Sequence, residues 1–103
     1  MKMNQKLKVA VIGVGNMGYN HARIYSELDS VELVAVADPS ESNLNKVKKF
    51  CLNQYTNYEE MLNKETLDCI SIVVPTTLHH AVALKVIKKE INILLEIMFS
   101  SGW

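Results

Sequence analysis

The sequence lacks any excess of charge of one sign. Its 103 residues carry 11 Lys and Arg against 11 Asp and Glu, so the formal net charge at pH 7 is zero. Proteins that bind nucleic acid or an anionic membrane surface usually carry a basic excess, because contacts with phosphate supply much of their affinity. We therefore expect no nucleic-acid partner and no membrane partner.

The chain also lacks a long apolar run. The run that follows the N-terminal lysines has six residues, Val9 to Val14, with Gly13 inside it. A membrane helix needs roughly 20 apolar residues, and a signal peptide needs a small-residue cleavage site, which does not follow here. We therefore expect a cytoplasmic protein.

Cysteine is scarce, with only Cys51 and Cys69. Neither has another Cys or a His at the spacing of a metal site, so we expect both to be reduced and buried, with no metal bound. The composition is 49% hydrophobic, as in a globular protein. A chain of this length has room for one core, and we expect one domain.

The apolar periodicity predicts strands that alternate with helices. Short, β-branched runs that are apolar almost throughout indicate strands buried on both faces. The stretches between them change to helical spacing. The predicted strands are 7–13, 31–37, 54–56, 68–74 and 91–99, and the predicted helices are 16–28, 39–51, 57–62 and 77–90.

This alternation predicts an α/β fold with a doubly wound, mostly parallel sheet of Rossmann type and about five strands. Asn57 and Glu60 have the spacing of a capping box at the start of the third helix. The residues expected to face the sheet are Met17, His21, Ile24, Tyr25 and Leu28 of the first helix, and Leu44, Val47 and Cys51 of the second.

The stretch "GVGNMG", Gly13 to Gly18, is a G-x-G-x-x-G loop between a predicted strand and a predicted helix. In such a loop the first glycine permits a tight turn, the second lets a pyrophosphate approach the backbone, and the third lets helix and strand pack closely. The helix start then offers free amides to the anion. The loop predicts a dinucleotide site.

Asp38 follows the second predicted strand, 20 residues beyond Gly18. A carboxylate at this place accepts hydrogen bonds from the hydroxyls of an adenosine ribose and repels a 2′-phosphate, so NAD is favoured over NADP. No Arg follows in "DPSESN", although Lys46 is not far along the chain. Alternatively, Asp38 caps its helix, with Pro39 at the first helical position and Glu41 completing a capping box.

A methyltransferase is the nearest other class, since it also uses a glycine loop and an acid after the second strand. Its loop usually reads acid-x-G-x-G-x-G, whereas here Val11 occupies the position of the acid and Met17 that of the last glycine. These two differences favour the dinucleotide-binding class.

With these motifs the sequence resembles the N-terminal domain of the Gfo/Idh/MocA family, the glucose-fructose oxidoreductase and inositol dehydrogenase family. The resemblance covers about residues 8–96 and leaves 97–103 as a divergent tail. It depends on "VAVIGVGNMGYNHARIY", "LVAVADPS", "YTNYEEMLNKETLDCISIVVPTTLHH" and the strand that leads into "LLE". It implies that the whole chain, 1–103, is an NAD(P)-binding Rossmann domain.

The resemblance also implies the cofactor-binding residues. A proline and a threonine lie along the dinucleotide in the family, followed by a histidine, and a glutamate opens its Glu-Lys-Pro signature. Thr76 or Thr77 could instead cap the last helix, while His79 and His21 could simply pack beside the sheet. The implied cofactor-binding residues are Gly13, Gly15, Asn16, Met17, Gly18, Asp38, Pro75, Thr76, His79 and Glu96.

The agreement ends after Glu96. The lysine that helps proton transfer in the family is Ile97 here, the following proline is Met98, and Glu90 replaces a glycine at a helix end. Isoleucine neither donates nor accepts a proton. We therefore expect no catalytic residue in this chain, and a fold truncated after about five strands without the family's substrate domain.

Three functions fit these expectations. The first is the NAD(P)-binding domain of an oxidoreductase acting on a sugar or polyol, inactive as this chain alone. The others are a nucleotide-binding regulatory or interaction module and one subunit of a split dehydrogenase. The nonapeptide "INILLEIMF", 91–99, carries a single charge and no proline, so it also predicts a homo-oligomer through a C-terminal edge strand.

Overall fold

A computed structural model describes residues 6–74, 76–88 and 92–95 of the chain. The predicted alternation of strands and helices is confirmed. The strands are β1 (Leu7–Ile12), β2 (Val31–Ala37), β3 (Gln54–Tyr55), β4 (Cys69–Ile72) and β5 (Asn92–Leu95). The helices are α1 (Asn16–Glu27), α2 (Glu41–Lys46), α3 (Tyr58–Lys64) and α4 (Thr76–Lys88).

The five strands form one sheet in the order β3-β2-β1-β4-β5, with every neighbouring pair parallel. The predicted doubly wound Rossmann-type fold is therefore confirmed. The chain builds outward from β1 to β3, then crosses over and continues from β4 on the other side of β1. This reversal places a topological switch point between β1 and β4, where ligands bind in folds of this class.

Successive side chains of each central strand point into two apolar cores, one on each face of the sheet. On β1, Ala10 and Ile12 pack with α3 and α4, while Val11 packs with α1 and α2. Val36 of β2 lies on the same side as Val11. Strands buried on both faces explain why each reads as a nearly continuous apolar run.

The prediction of which α1 residues face the sheet is wrong in part. Met17, Ile24 and Leu28 are 39%, 45% and 44% exposed, and the buried residues of the helix are Gly18 and Ala22. A Cβ on Gly18 would lie 1.7 Å from the carbonyl oxygen of Gly13, so the helix lies too close to the loop for a larger side chain. The large apolar residues are therefore turned away from the sheet.

Tyr25, one of the predicted inward residues of α1, reaches the sheet through its hydroxyl. Tyr25 Oη and Ser71 Oγ are 2.5 Å apart, and Ser71 is buried within β4. His21 packs its ring edge-on against Tyr25, with 6.1 Å between ring centroids. A hydroxyl pair therefore fixes the position of α1 along the sheet.

The second helix ends earlier than predicted. α2 stops at Lys46, and residues 47–50 form turns, yet Leu44, Val47 and Cys51 are buried as expected. Burial raises the pKa of the Cys51 thiol, and neither cysteine forms a disulfide. Cys69 is only partly buried, so the expectation of full burial fails for it.

The start of α3 is confirmed, since the Asn57 side chain accepts hydrogen bonds from the backbone N–H groups of Glu59 and Glu60 at 2.8 and 3.4 Å. The helix continues to Lys64, two residues beyond the predicted end. Of the predicted last strand, 92–95 is present as β5, and 91 and 96–99 lie outside the described residues.

A hydrogen-bonded cluster joins the end of α3 to the β3 edge of the sheet. The Tyr55 hydroxyl donates to Glu65 Oε2 at 2.5 Å, and Asn53 Nδ2 donates to the same oxygen at 2.7 Å. The bond to the carboxylate raises the pKa of Tyr55 to about 12 and lowers the pKa of Glu65 below its ordinary value. The phenol therefore stays protonated and the carboxylate ionised at neutral pH, as this bond requires.

Among the residues that the structure describes, no helix has the length and apolar character needed to cross a membrane. Within the same residues, no three His, Cys, Asp or Glu side chains are grouped in a way that could hold a metal ion.

Candidate functional site

A cleft of about 700 Å³ opens at the carboxyl ends of β1, β2 and β4, at the switch point of the sheet. Its walls come from four parts of the chain. They are Ile12, Gly13 and Gly15 at the end of β1 and after it; Ala37, Asp38, Pro39 and Asn43 at the end of β2 and after it; Thr56, Asn57 and Tyr58 after β3; and Val73, Val74, Leu78, Ala81 and Val82 after β4 and along α4.

Gly13 makes the tight turn that follows β1. Its φ is +92°, a conformation that side-chain-bearing residues rarely adopt, and a Cβ here would lie 2.1 Å from the carbonyl oxygen of Val73. Its N–H donates to the carbonyl of Ala37 at 2.8 Å. The first glycine therefore has the role predicted from the motif.

Gly15 is the residue immediately before α1. Among residues 6–74, 76–88 and 92–95, no atom apart from its chain neighbours lies within 4 Å of where its Cβ would be, and none of their side chains caps the helix start with a hydrogen bond. Asn16 and Met17, both exposed, form the first turn of α1 with Gly18. The backbone at this helix start is thus open to a ligand, and the helix dipole favours an anion there.

Asp38 lines the cleft next to the glycine loop and is only 8% exposed. Its Oδ2 accepts a hydrogen bond from the backbone N–H of Val14 at 2.9 Å and a longer one, 3.4 Å, from Asn43 Nδ2. Its Oδ1 accepts from the backbone N–H of Ser40 at 2.8 Å. The carboxylate is therefore held in place beside the glycine loop.

Asp38 does not cap α2. The residue before the helix is Ser40, whose side chain accepts from the backbone N–H of Asn43 at 3.2 Å, and α2 begins at Glu41. Pro39 lies outside the helix for the same reason. The capping alternative for Asp38 is therefore wrong, because Ser40 already supplies the acceptor.

Four predicted site residues remain, and the structure describes two of them. Thr76 is the first residue of α4, one position earlier than predicted, and His79 lies in its first turn. Pro75 and Glu96 lie outside the described residues. His21 is not among the residues that line the cleft.

Sequence reasoning missed the wall formed by Thr56 to Tyr58 and by α4. Tyr58 packs against the core beside α4, and burial together with nearby Glu59 raises its pKa. Glu59 of α3 also forms a half-exposed ion pair with Lys85 of α4 at 2.6 Å, which links the two helices. The position of Thr56 and Asn57 in the sequence could have indicated this wall, since both directly follow a strand of a parallel sheet and ligands bind at the carboxyl ends of such strands.

The fold and this cleft define a domain of the dinucleotide-binding Rossmann class. A family model described as an oxidoreductase family with an NAD-binding Rossmann fold, Gfo/Idh/MocA, matches residues 7–97. The chain belongs to this family, as its motifs predicted.

Known relatives are of several kinds. The crystal structure of myo-inositol 2-dehydrogenase from Lactobacillus plantarum aligns with a TM-score of 0.83 and 31% identity, over 88% of this chain and 28% of that one. GenD2 from gentamicin A biosynthesis, solved in complex with NAD, aligns with a TM-score of 0.81 and 29% identity, over 92% and 28%. Glycosyl hydrolase family 109 protein 1 from Shewanella sp. (strain MR-4) is 26% identical over 102 residues, 88% of this chain and 22% of that protein.

The chain thus spans less than a third of the length of each of these three proteins. The similarity to the two solved structures covers the fold described above.

Proposed function

We propose that this chain binds NAD(H) in the cleft between the glycine loop and Asp38, as the dinucleotide-binding domain of a Gfo/Idh/MocA oxidoreductase. The observation that carries this proposal is the pairing of two features in one cleft. Gly15 leaves the amide end of α1 open to an anion, and the Asp38 carboxylate lies on the adjoining wall. A dinucleotide has a pyrophosphate and a ribose at matching positions.

The charges around the cleft favour NAD over NADP. Asp38 carries a negative charge at the place proposed for the adenosine ribose. No Lys or Arg is among the described residues that line the cleft, so a 2′-phosphate would meet repulsion without a compensating cation. Lys46, the cation considered from the sequence, is not one of these residues.

The proposal is tested by titrating the purified chain with NADH and with NADPH by calorimetry. We expect weak NADH binding and at least roughly tenfold weaker NADPH binding, because a like-charge contact costs on the order of 1.4 kcal/mol or more. Asp38→Ala should reduce the difference in affinity between NADH and NADPH. Ser26→Ala, at the far end of α1, is a matched control. NADPH binding as tight as NADH binding would contradict the role of Asp38.

The substrate class is a second part of the proposal. We propose a sugar or polyol substrate for the oxidoreductase to which this domain belongs, since the family includes inositol dehydrogenases. The chain itself has Ile97 at the position where the resemblance to the family implies a proton-transferring lysine. An isoleucine cannot move a proton to or from a hydroxyl group.

We therefore expect the 103-residue chain to reduce NAD with myo-inositol or glucose no faster than a reaction without protein. The measurement is absorbance of NADH at high chain concentration, with a full-length inositol dehydrogenase as the positive control. Turnover above background by the purified chain would show that Ile97 does not prevent the reaction.

We also propose self-association through the C-terminal edge of the sheet. Within the described residues, β5 is an edge strand, paired only with β4. The stretch 91–99 carries one charge and no lysine or proline, the residues that usually protect an edge from pairing.

Sedimentation velocity of the chain beside an Ile97→Lys, Phe99→Lys double variant tests this. We expect the chain to form dimers or larger species at high micromolar concentration and the double variant to be monomeric. Monomers in both samples would contradict pairing through this edge.

A further inference from the structure

The Asp38 carboxylate accepts hydrogen bonds from two backbone N–H groups of its own chain, which binding a ribose would not require. Its Oδ2 accepts from the Val14 N–H in a buried hydrogen bond that connects residues 24 positions apart. Its Oδ1 accepts from the Ser40 N–H at the start of α2. The carboxylate thus joins the glycine loop to the segment that follows β2.

Two neighbouring N–H groups of the glycine loop donate hydrogen bonds to residues at the end of β2 and directly after it. The N–H of Gly13 donates to the carbonyl of Ala37 at 2.8 Å, and the N–H of Val14 donates to Asp38 at 2.9 Å. An N–H that is bonded to Asp38 is not available to a phosphate. Anion binding therefore falls to the amides that follow, beginning at Gly15 and the first turn of α1.

We propose that Asp38 is a positioning residue for the pyrophosphate loop in addition to being a ribose ligand. By holding the Val14 N–H, the carboxylate sets the loop in its binding conformation before a dinucleotide arrives. A buried N–H that loses its acceptor must move to find water or another partner, and the adjoining Gly15 would move with it. The consequence for binding rests on the proposed NAD(H) function, whereas the contact itself exists without ligand.

Two variants separate this role from ribose binding. Asp38→Asn and Asp38→Ala both remove the charge, but only asparagine keeps an oxygen that can accept the Val14 N–H. That amide oxygen can serve either Val14 or Ser40. We expect it to serve Val14, because the Val14 bond is buried while the Ser40 bond is only partly buried and its N–H can reach water.

The first measurement is amide hydrogen exchange of Val14 by NMR in the chain without ligand. We expect exchange roughly tenfold faster in Asp38→Ala than in Asp38→Asn, as expected for one lost buried hydrogen bond. The N–H of Met61, which donates within the start of α3 and belongs to a fully buried residue, reports global stability. Equal exchange of Val14 in both variants, or an equal acceleration at Met61, would overturn the proposal.

The second measurement is titration of both variants with inorganic pyrophosphate, which has no ribose. A role in ribose binding alone predicts equal affinities, because both variants lack the charge. A positioning role predicts roughly tenfold weaker binding by Asp38→Ala. If the wild-type chain binds neither pyrophosphate nor NADH, the proposed function fails, while the exchange rates still decide whether Asp38 positions the loop.

Discussion

Gly13→Ala is expected to remove much of the stability of this chain. The residue has φ +92°, and the added Cβ would meet the Val73 carbonyl oxygen at 2.1 Å. That oxygen belongs to backbone whose own N–H donates to Ile12 at 2.8 Å, so it cannot move away without breaking the sheet. The strained φ together with the clash should cost about 4 kcal/mol or more, against a total of roughly 5 to 15 kcal/mol for a domain.

The measurement is urea unfolding followed by circular dichroism. Gly15→Ala is the matched control, because the same methyl group at Gly15 meets no atom of the described residues within 4 Å other than its chain neighbours. We expect the unfolding midpoint of the Gly13 variant to fall sharply and that of the Gly15 variant to stay near the wild-type value. Equal midpoints for the two variants would show that the turn after β1 is not held as described.

Gly15→Ala is expected to abolish measurable NADH binding without unfolding the chain. In the part of the chain that the structure describes, nothing beyond its chain neighbours fills the space beside Gly15, and no side chain caps the adjoining start of α1. A methyl group there would occupy the position from which the pyrophosphate must approach the backbone amides. Loss of these charge-assisted hydrogen bonds should raise the Kd by roughly 30-fold or more.

Calorimetric titration with NADH measures this effect, and the unfolding midpoint of the same sample shows that the variant is folded. Ser26→Ala, on the same helix but distant from the loop, should bind as the wild type does. A folded Gly15 variant that binds NADH normally would place the pyrophosphate elsewhere in the cleft.

The features that sequence reasoning predicted well are those that depend on local patterns. The strand bounds followed from short apolar runs, and β2 was predicted to the residue. The turn at Gly13 and the close packing at Gly18 followed from the spacing of the glycines, because a strand that feeds directly into a helix leaves no room for a Cβ at either place. The approximate position of Asp38 followed from its place after a strand.

The inward face of α1 could not be predicted from apolar periodicity. Apolar periodicity identifies the face of a helix on which the apolar residues lie. The distance between the helix and the sheet then decides which of these side chains fit between them. Here the contact at Gly18 brings the helix so close that Ala22 is buried and Ile24 is left exposed. The capping role of Ser40 was missed for a related reason, since Asp38 and Ser40 both lie at acceptable spacing before α2 and only the backbone path selects between them.

The sequence by itself determined the class of fold, the glycine loop and the acid after β2, because each depends on residues that are close together along the chain. Only the tertiary structure decided what completes the cleft. The crossover from β3 to β4 brings Tyr58 and Val82 to the same cleft as Gly13. The parallel pairing of β1 with β2 sets the Asp38 carboxylate against the Val14 N–H. Such contacts join residues that are distant in sequence, and their partners are fixed by the order of strands in the sheet, which no local pattern records.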